Sequence, residues 1–403
     1  MARPAKINKR KYIKNKNSRR KAVLWNSISF EKGKSLSDYP EEIIFNILVR
    51  IPAASLNDLR RVCKNWLEVI SSSYFIQCHL ARVQPYLIEG TTLWNNPIRS
   101  VDVKDSEIRA RKLDIGCHGN ILATCNGLLL IEANHLKGIC ISNPATKKLL
   151  RLPKCSKSPC DNYHLLHDMD FRYARLDFYR FGYAPSTKEY KVIHFFHDGF
   201  HQLCEILTLG SDSWRRIDIS FLVLPLIFNE QLSLNGVLHW LVGYHYIMSM
   251  DLAQETFHQT PIPCCIRPSC RTFSRDETFY RHTFSKDETF YLKEIRGSPS
   301  LINRISDVEF EVWILKDFQI KEWIKLSNID ATGRGLMNLI PILSLRNDEV
   351  IFKSRRKRSG HLVLSTYDLK LQTMIQVKLY SRDRQIFSIM THFDTLVSLK
   401  FQK

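Results

Sequence analysis

The stretch YPEEIIFNILVRIPAASLNDLRRVCKNWLEVI, from Tyr39 to Ile70, decides how this 403-residue chain is organised. Its first part carries apolar residues at the spacing of one helix face, at Ile43, Ile44, Ile47, Leu48 and Ile51. Pro52 ends this helix, because the residue before a proline avoids the α region. A second apolar series in steps of three and four then follows at Leu56, Leu59, Val62, Cys63, Trp66, Val69 and Ile70. The pattern predicts a module of three short helices, with Cys63 buried.

The start of the first helix also has a sequence signature. Asp38 and Glu41 are spaced as an N-cap and its capping-box partner, and Pro40 suits the first turn. A module of about 35 residues buries too little surface to be stable alone. Its apolar face is therefore either a docking surface for another protein or a face that packs on the rest of the chain.

The chain after about Arg111 reads as β-structure. Two Asn-Gly pairs, at 126–127 and 235–236, lie between apolar runs, which is a strong hairpin signal. A strand–turn–strand pattern recurs with turns near Pro144, Pro185, Gly210, Leu252, Lys316 and Leu369. Repeats of about 40–50 residues built from short strands favour a β-propeller, here of six or seven blades, over a pair of β-sandwiches.

Residues 272–291 contain a tandem duplication, TFSRDETFY followed by TFSKDETFY. It lengthens one connection between hairpins. A tolerated surface insertion and an enlarged recognition loop are both consistent with it.

The composition places most of the positive charge at the front. Residues 1–34 hold twelve Lys or Arg and one Glu, out of a net charge of +19 for the chain. Such a block is expected to be disordered. Two basic clusters resemble a two-part nuclear import signal, with the candidate residues Lys9, Arg10, Lys11, Arg19, Arg20 and Lys21. The alternative is a basic tail that carries no targeting signal.

Several features bear on the compartment. The first residues lack the apolar segment of a signal peptide, so the eleven cysteines are expected as free thiols in a reducing compartment. The longest apolar run, residues 221–228, is far shorter than the roughly 20 residues that span a bilayer. We therefore expect nuclear or cytoplasmic localisation and no membrane partner.

The helical stretch resembles an F-box, the motif that binds the Skp adaptor of cullin–RING ubiquitin ligases. Sixteen positions between Pro40 and Ile70 fall in register with the plant form of the motif, while Tyr39, Ala54 and Leu59 depart from it. The resemblance implies a set of residues that form the adaptor face or its immediate support. They are Pro40, Ile44, Leu48, Ile51, Pro52, Leu56, Val62 and Trp66.

The β-rich part resembles the F-box-associated domain of plant F-box proteins. Its segments at 125–130, 143–153, 181–192, 207–215, 235–241, 251–263 and 313–326 follow the order of that family. The expected fold class is α+β multidomain, with an all-α F-box module before an all-β, propeller-like domain. The expected boundaries are a basic tail at 1–34, an F-box at 35–80, a linker at 81–110 and the propeller-like domain at 111–403.

Metal and catalytic motifs are weak in this sequence. Cys155, Cys160, His164 and His167 lack the finger spacing of a zinc site. The imidazoles of His194, His197 and His201 are expected to be separated by strand alternation. The spacing of Cys264, Cys265 and Cys270 is not typical of a metal site either. No phosphate loop or nucleophile elbow is found. We expect no cofactor, no metal and no enzymatic activity.

The resemblance implies a substrate receptor of a Skp–cullin–F-box ubiquitin ligase, which bridges the Skp adaptor and a target protein for ubiquitination and proteasomal degradation. The cullin and RING subunits would be reached through the adaptor, and the target is unknown. One alternative is an adaptor-bound scaffold that acts outside a ligase. The other is a propeller that binds nucleic acid or chromatin through the tail and the basic run 353–358, which ranks last.

Overall fold

The computed structural model describes residues 39–90, 98–104, 107–113, 115–117, 119–133, 136, 138–156, 178–197, 201–219, 231–242, 245–266, 290–345, 348–356, 362–378 and 388–399. The chain forms two compact units, Met1–Ile51 and Pro52–Lys403. The described part of the first unit is a single helix with its flanking residues. The described part of the second unit contains three further α-helices and six β-sheets.

The helices are short, and the first of them ends at Leu48, before Ile51 and Pro52. Helix α1 is Glu41–Leu48, α2 is Ala53–Leu59, α3 is Lys64–Ser71 and α4 is Ser73–Leu80. Pro40 occupies the N-cap of α1 and Pro52 that of α2, each with an extended ψ near 141° and no side-chain cap. The hydroxyl of Ser72 accepts a hydrogen bond from Phe75 N and caps α4. The predicted N-cap Asp38 lies outside the described residues, and the N-cap position is taken by Pro40, two residues later than predicted.

The predicted burial of Cys63 is wrong. Cys63 is exposed, because it occupies the N-cap of α3 with an extended backbone (φ −157°, ψ 169°). The apolar series continues past it, since Trp66, Val69 and Ile70 of α3 are buried. The three-and-four spacing thus identified the helix correctly but included one residue that precedes it.

Six four-stranded antiparallel sheets form the blades of a propeller. Blade 1 is β4 (Gly119–Cys125), β5 (Leu128–Ala133), β6 (Gly138–Asn143) and β7 (Lys148–Arg151). Blade 2 is β8 (Phe178–Ala184), β9 (Glu189–His197), β10 (Gln202–Thr208) and β11 (Arg215–Ile217). Blade 3 is β12 (Leu232–Leu234), β13 (Val237–Val242), β14 (Tyr246–Asp251) and β15 (Thr256–Pro261), followed by a 3₁₀ turn at Cys264–Ile266.

The remaining blades complete the ring. Blade 4 is β16 (Phe290–Ile295), β17 (Ser298–Arg304), β18 (Glu309–Asp317) and β19 (Glu322–Asp330). Blade 5 is β20 (Leu336–Leu345), β21 (Glu349–Arg356), β22 (Leu362–Asp368) and β23 (Thr373–Lys378). Blade 6 combines β1 (Tyr86–Gly90), β2 (Arg99–Lys104) and β3 (Glu107–Lys112) with β24 (Ser388–His392), which pairs with β1. The helical module plus propeller agrees with the expected fold class, and the blade number is six.

One edge strand of each sheet faces the next blade around the ring. Contacts run from β4 to β8, from β8 to β13, from β12 to β16, from β16 to β20, from β20 to β24 and back to β4. The apolar core lies between neighbouring blades. Phe195 of blade 2 packs with Trp240 of blade 3, and Phe310 of blade 4 packs with Phe352 of blade 5.

The segment 81–110 carries strands, although the sequence predicted a linker. It contains β1, β2 and most of β3, so the propeller begins near Tyr86. The strand that completes this sheet beside β1 is β24, about 300 residues later in the chain. Long-range pairing of this kind leaves no short-range pattern to read.

Three hairpin turns have two consecutive residues with positive φ. Both predicted Asn-Gly pairs do so, at Asn126 (47°) with Gly127 (74°) and at Asn235 (50°) with Gly236 (83°). A third such turn, Arg296–Gly297 (53° and 73°), joins β16 to β17. It was not predicted, because an arginine in the left-handed region is uncommon. At Gly127, a Cβ would lie 2.4 Å from Phe393 O, so glycine is required for close packing as well.

Four turns between the third and fourth strands share one construction. An Asn or Asp carboxamide or carboxylate oxygen accepts hydrogen bonds from the backbone N–H groups two and three residues later, at Asn143, Asp251, Asp317 and Asp368. The fourth residue after each has φ of 54–59°, at Lys147, Glu255, Lys321 and Gln372. The predicted repeat therefore has a local structural basis in blades 1, 3, 4 and 5.

The turn at Pro185 occupies a different place in its blade. It joins β8 to β9, the first and second strands, whereas the repeat was predicted with all six turns equivalent. Lys188 still has φ of 58°, four residues after Ala184, so the local conformation is the same. Ala184 offers no side-chain acceptor. Because it lies between the first two strands of blade 2, this turn is much closer in the chain to the turn at Gly210 than the other turns are to one another.

Neighbouring blades are also tied by polar contacts. The indole of Trp214 in blade 2 donates to Pro153 O after blade 1, and Trp323 in blade 4 donates to Pro261 O of blade 3, both at 3.0 Å. The Lys191 ammonium of blade 2 lies 2.8 Å from the Glu255 carboxylate in the last turn of blade 3. These contacts hold outer strands to the preceding or following blade.

Among the described residues, no helix has the length and apolar character needed to cross a membrane.

Candidate functional site

Helix α1 has one buried and one exposed apolar row. Ile44 and Leu48 are buried, whereas Ile43 and Ile47 are about half exposed, at 45% and 52%. The doubled apolar pairs of the sequence therefore divide between two sides of the helix. Pro40, before the helix, is exposed, and Ile51, after it, is partly buried.

The helices of the second unit show the same division. Leu56 and Trp66 are buried, whereas Val62, Leu67 and Tyr74 are exposed. Tyr74 is 68% exposed, which is unusual for so large an aromatic side chain. Exposed apolar side chains on short helices and the turns between them are typical of regions that other proteins bind.

The eight predicted adaptor residues thus fall into three groups by exposure. Pro40, Pro52 and Val62 are exposed and accessible to a partner. Buried positions at Ile44, Leu48, Leu56 and Trp66 can only support such a face, and Ile51 is intermediate. The assignment of these residues to adaptor binding stays a prediction. Ile43, Ile47, Leu67 and Tyr74 were not in the predicted set. Periodicity identifies an apolar helix but does not say which of two adjacent rows is covered.

Arg60 joins the helical module to the propeller within the second unit. Its Nη2 donates to Ile70 O of α3 at 3.4 Å and to Leu396 O, beyond β24, at 3.3 Å. Burial lowers the pKa of the Arg60 guanidinium from its usual value. The Arg60 guanidinium therefore bonds one carbonyl of helix α3 and one carbonyl of the segment after β24.

The segment 393–397 is held from its other side by blade 1. The Asn143 amide donates to Thr395 O at 3.1 Å and to Val397 O at 2.8 Å. Successive carbonyls of an extended chain point in alternate directions. Those of Thr395 and Val397 are bonded to blade 1, and the one between them is bonded to Arg60. This segment thus connects ring closure to the helices.

A polar cluster lies between blades 1 and 2. His194 of β9 and Glu205 of β10 face each other in register, and His194 Nδ1 is 2.9 Å from Glu205 Oε1. Ser156 donates its hydroxyl to Glu205 Oε2 at 2.6 Å and its backbone N–H to Oε1 at 3.1 Å. Burial alone would raise the pKa of the Glu205 carboxyl. The hydrogen bonds from His194 and Ser156 outweigh that effect, so the pKa lies below its usual value.

The structure places two of the three histidines that were expected to be separated, while the side chain of His197 lies outside the described residues. His194 is buried in blade 2, while His201 is exposed in the turn before β10. The carboxylate partner of His194 was missed, because cross-strand register cannot be read from local spacing. Cys160, His164, His167 and Cys270 lie outside the described residues.

None of the nine described cysteines forms a disulfide. Burial raises the pKa of Cys117 to about 11 and that of Cys125 to about 12. A thiol needs a lowered pKa to act as a nucleophile near neutral pH. These two thiols are therefore not activated.

Comparison with known proteins gives two matches that together cover most of the chain. Residues 36–77 match the F-box domain, and residues 94–398 match the F-box associated beta propeller domain. The chain belongs to the plant F-box proteins with an F-box-associated propeller.

Three relatives of this F-box protein come from Arabidopsis thaliana. An F-box protein is 24% identical over 75% of this chain and 81% of its own. An F-box/kelch-repeat protein is 24% identical over 72% and 79%, and a further F-box protein is 24% identical over 72% of each chain. An oligogalacturonate lyase in complex with manganese has a TM-score of 0.40 at 8% identity, over 75% of this chain and 81% of its own, which says nothing about activity.

An F-box joined to a propeller is the organisation of substrate receptors of Skp–cullin–F-box ligases, and the F-box implies an Skp-type adaptor as partner. The tail with the import candidates and the duplicated residues 272–289 lie outside the described residues. Nuclear import and an enlarged recognition loop therefore stay predictions.

Proposed function

We propose that this F-box protein is the substrate-recognition subunit of a Skp–cullin–F-box ubiquitin ligase. Its helices bind the Skp adaptor, and its propeller binds a target protein for ubiquitination and proteasomal degradation. The observation that carries this proposal is the fusion of the F-box to the propeller, with exposed apolar side chains on the helices of the F-box match.

The contribution of this chain to catalysis is proximity. A bound target is held near the ubiquitin-charged enzyme that the cullin and RING subunits recruit, which raises the effective concentration of its lysines. The bond-forming chemistry belongs to those subunits. The raised pKa values of Cys117 and Cys125 agree with a receptor that has no thiol chemistry of its own.

Adaptor binding is tested with purified full-length chain and Skp adaptor in a pull-down and by calorimetry. The informative variants are Ile47→Asp and Val62→Asp, because both side chains are half exposed and their replacement leaves the fold intact. Each places a charge in an apolar contact, and we expect each to weaken adaptor binding at least tenfold. Leu48→Asp would be uninformative, since Leu48 is fully buried and its replacement disturbs folding.

A matched control is available on the propeller. Leu371 in blade 5 is 69% exposed, so Leu371→Asp makes the same change of chemistry away from the F-box. We expect this variant to bind the adaptor as the wild type does. Folded wild-type chain that fails to bind any Skp adaptor would refute the proposal. Adaptor binding without recruitment of cullin would instead support the scaffold that acts outside a ligase.

A further inference from the structure

The polar cluster between blades 1 and 2 contains a third side chain of interest, Cys155. One donor atom each from Cys155, His194 and Glu205 lies within 4.8 Å of the other two. The three come from separate parts of the chain, with Cys155 four residues after β7 of blade 1 and the others on β9 and β10 of blade 2. His194 and Glu205 are fully buried, and Cys155 is half-buried at the cluster's edge.

The donor set has the chemistry of a transition-metal site. Zinc takes Cys sulfur, His nitrogen and Glu oxygen, whereas magnesium and calcium take oxygen alone. A thiolate and a carboxylate together balance the charge of a divalent cation. The neutral assembly suits this buried position better than an isolated carboxylate would.

The surroundings already orient two of the donors. Both oxygens of Glu205 accept hydrogen bonds from Ser156, which fixes the plane of the carboxylate. The His194 ring stacks on Tyr179 at 4.3 Å with an interplanar angle of 4°. The Tyr179 hydroxyl lies 3.6 Å from Cys155 Sγ. Such supporting contacts are typical of metal ligands, because they restrict the orientations that the ligand side chains can take.

We propose that Cys155, His194 and Glu205 bind one zinc ion, which joins the chain leaving blade 1 to the sheet of blade 2. On binding, the Cys155 thiol gives its proton to solvent and the thiolate coordinates the ion. The His194–Glu205 hydrogen bond opens as both donors turn to the metal. The fourth position is taken by water at the exposed edge. The site is structural, and it does not depend on the proposed ligase function.

The test uses the full-length chain, stripped with a chelator and titrated with Co²⁺ as a spectroscopic probe for zinc. Thiolate coordination to Co²⁺ gives a charge-transfer band in the near ultraviolet. We expect one equivalent of Co²⁺ to produce this band. Added zinc should displace the Co²⁺ and abolish the band. Zinc should also raise the melting temperature of the wild type, because it binds only the folded site.

Variants assign the ligands. Cys155→Ser and Cys155→Ala are made at the half-buried edge, leave the buried pair intact and should lose the thiolate band. Glu205→Gln should weaken Co²⁺ binding by about 10–100-fold if it folds, which circular dichroism checks. Cys264→Ser, at an exposed cysteine, should behave as the wild type does.

The result can overturn the proposal in two ways. The absence of a saturable thiolate band in the wild type would leave His194 and Glu205 as a simple buried hydrogen-bonded pair. A band that survives in Cys155→Ser but disappears in Cys160→Ser would place the metal on different ligands. A band lost only with Cys155, and weakened with Glu205, supports the site.

Discussion

Replacing Arg60 should loosen the helices without unfolding the propeller. In Arg60→Ala, the guanidinium that bonds Ile70 O and Leu396 O is removed. Helices α2–α4 then lose a polar tie to the segment after β24. The expected effect is local, because the blades remain held by their own strand pairing and by the apolar core between them.

The size of the effect follows from the two contacts. Hydrogen bonds from a charged donor contribute about 1.5–3 kcal/mol when their geometry is good. Those of Arg60 are 3.4 and 3.3 Å long, beyond the usual 2.7–3.2 Å range, so about 1 kcal/mol each is reasonable. The sum of about 2 kcal/mol corresponds to a roughly 30-fold change in a local opening equilibrium.

Hydrogen exchange followed by mass spectrometry measures this directly. In Arg60→Ala, peptides from α2–α4 should exchange about 30-fold faster, and peptides from blade 3 should be unchanged. Arg60→Lys keeps the charge but has a smaller donor group, and it should give an intermediate rate. Arg61→Ala, at the exposed neighbouring residue, is the matched control and should exchange as the wild type does.

A second variant tests whether the connection runs through the segment 393–397. Asn143→Ala removes the donors to Thr395 O and Val397 O, so it should destabilise the same segment from blade 1. Combined with Arg60→Ala, it should show a coupling of at least about 0.5 kcal/mol. Unchanged exchange of the helices in Arg60→Ala, or equal acceleration throughout the propeller, would refute the reasoning.

Three further predictions concern stability. Trp214→Phe should lower the unfolding free energy by about 1 kcal/mol, and Trp323→Phe should lower it by less, because the Trp323 indole is the more exposed of the two donors. Urea unfolding measures both losses, and equal losses would contradict the argument. Burial lowers the pKa of His239 and His392 to about 4, below 6.5 in the unfolded chain, so stability is full above pH 6.5 and falls as the pH drops toward 4. At pH 5 the loss should be about 2 kcal/mol for each histidine, and melts of His392→Phe should show a smaller pH dependence than the wild type. Asp317→Ala removes the acceptor for two turn N–H groups and should cost about 1 kcal/mol, whereas Asp317→Asn should cost little by the same urea assay.

Local patterns predicted the local structure well. The end of α1 before Pro52 and the two Asn-Gly hairpins depend on backbone preferences of a few adjacent residues, which can be read directly from the sequence. The turn at Arg296–Gly297 was not predicted, because the hairpin and not the intrinsic preference of arginine imposes the left-handed conformation of Arg296. Features that depend on distant partners, such as the pairing of β1 with β24, could not be predicted from a single sequence.

The candidate sites divide in the same way. The F-box was recognisable because its helices are continuous in sequence, yet which row of α1 is exposed depends on what covers Ile44 and Leu48. The meeting of Cys155, His194 and Glu205 depends on the packing of two blades and on cross-strand register. Such information is absent from residue spacing along the chain.

The position of β24 near the end of the chain affects folding of the nascent chain during synthesis. Residues 113–387 separate β3 from β24, so at about 5–20 residues per second the ribosome takes roughly 15–55 s to supply the closing strand. During that interval the edge of β1 has no partner on that side, and Leu396 is not yet available to Arg60. An unpaired edge strand is a template for aggregation. Truncated chains that end before Ser388 would therefore contain the helices but lack the strand that closes the ring. We expect chaperones to bind such chains.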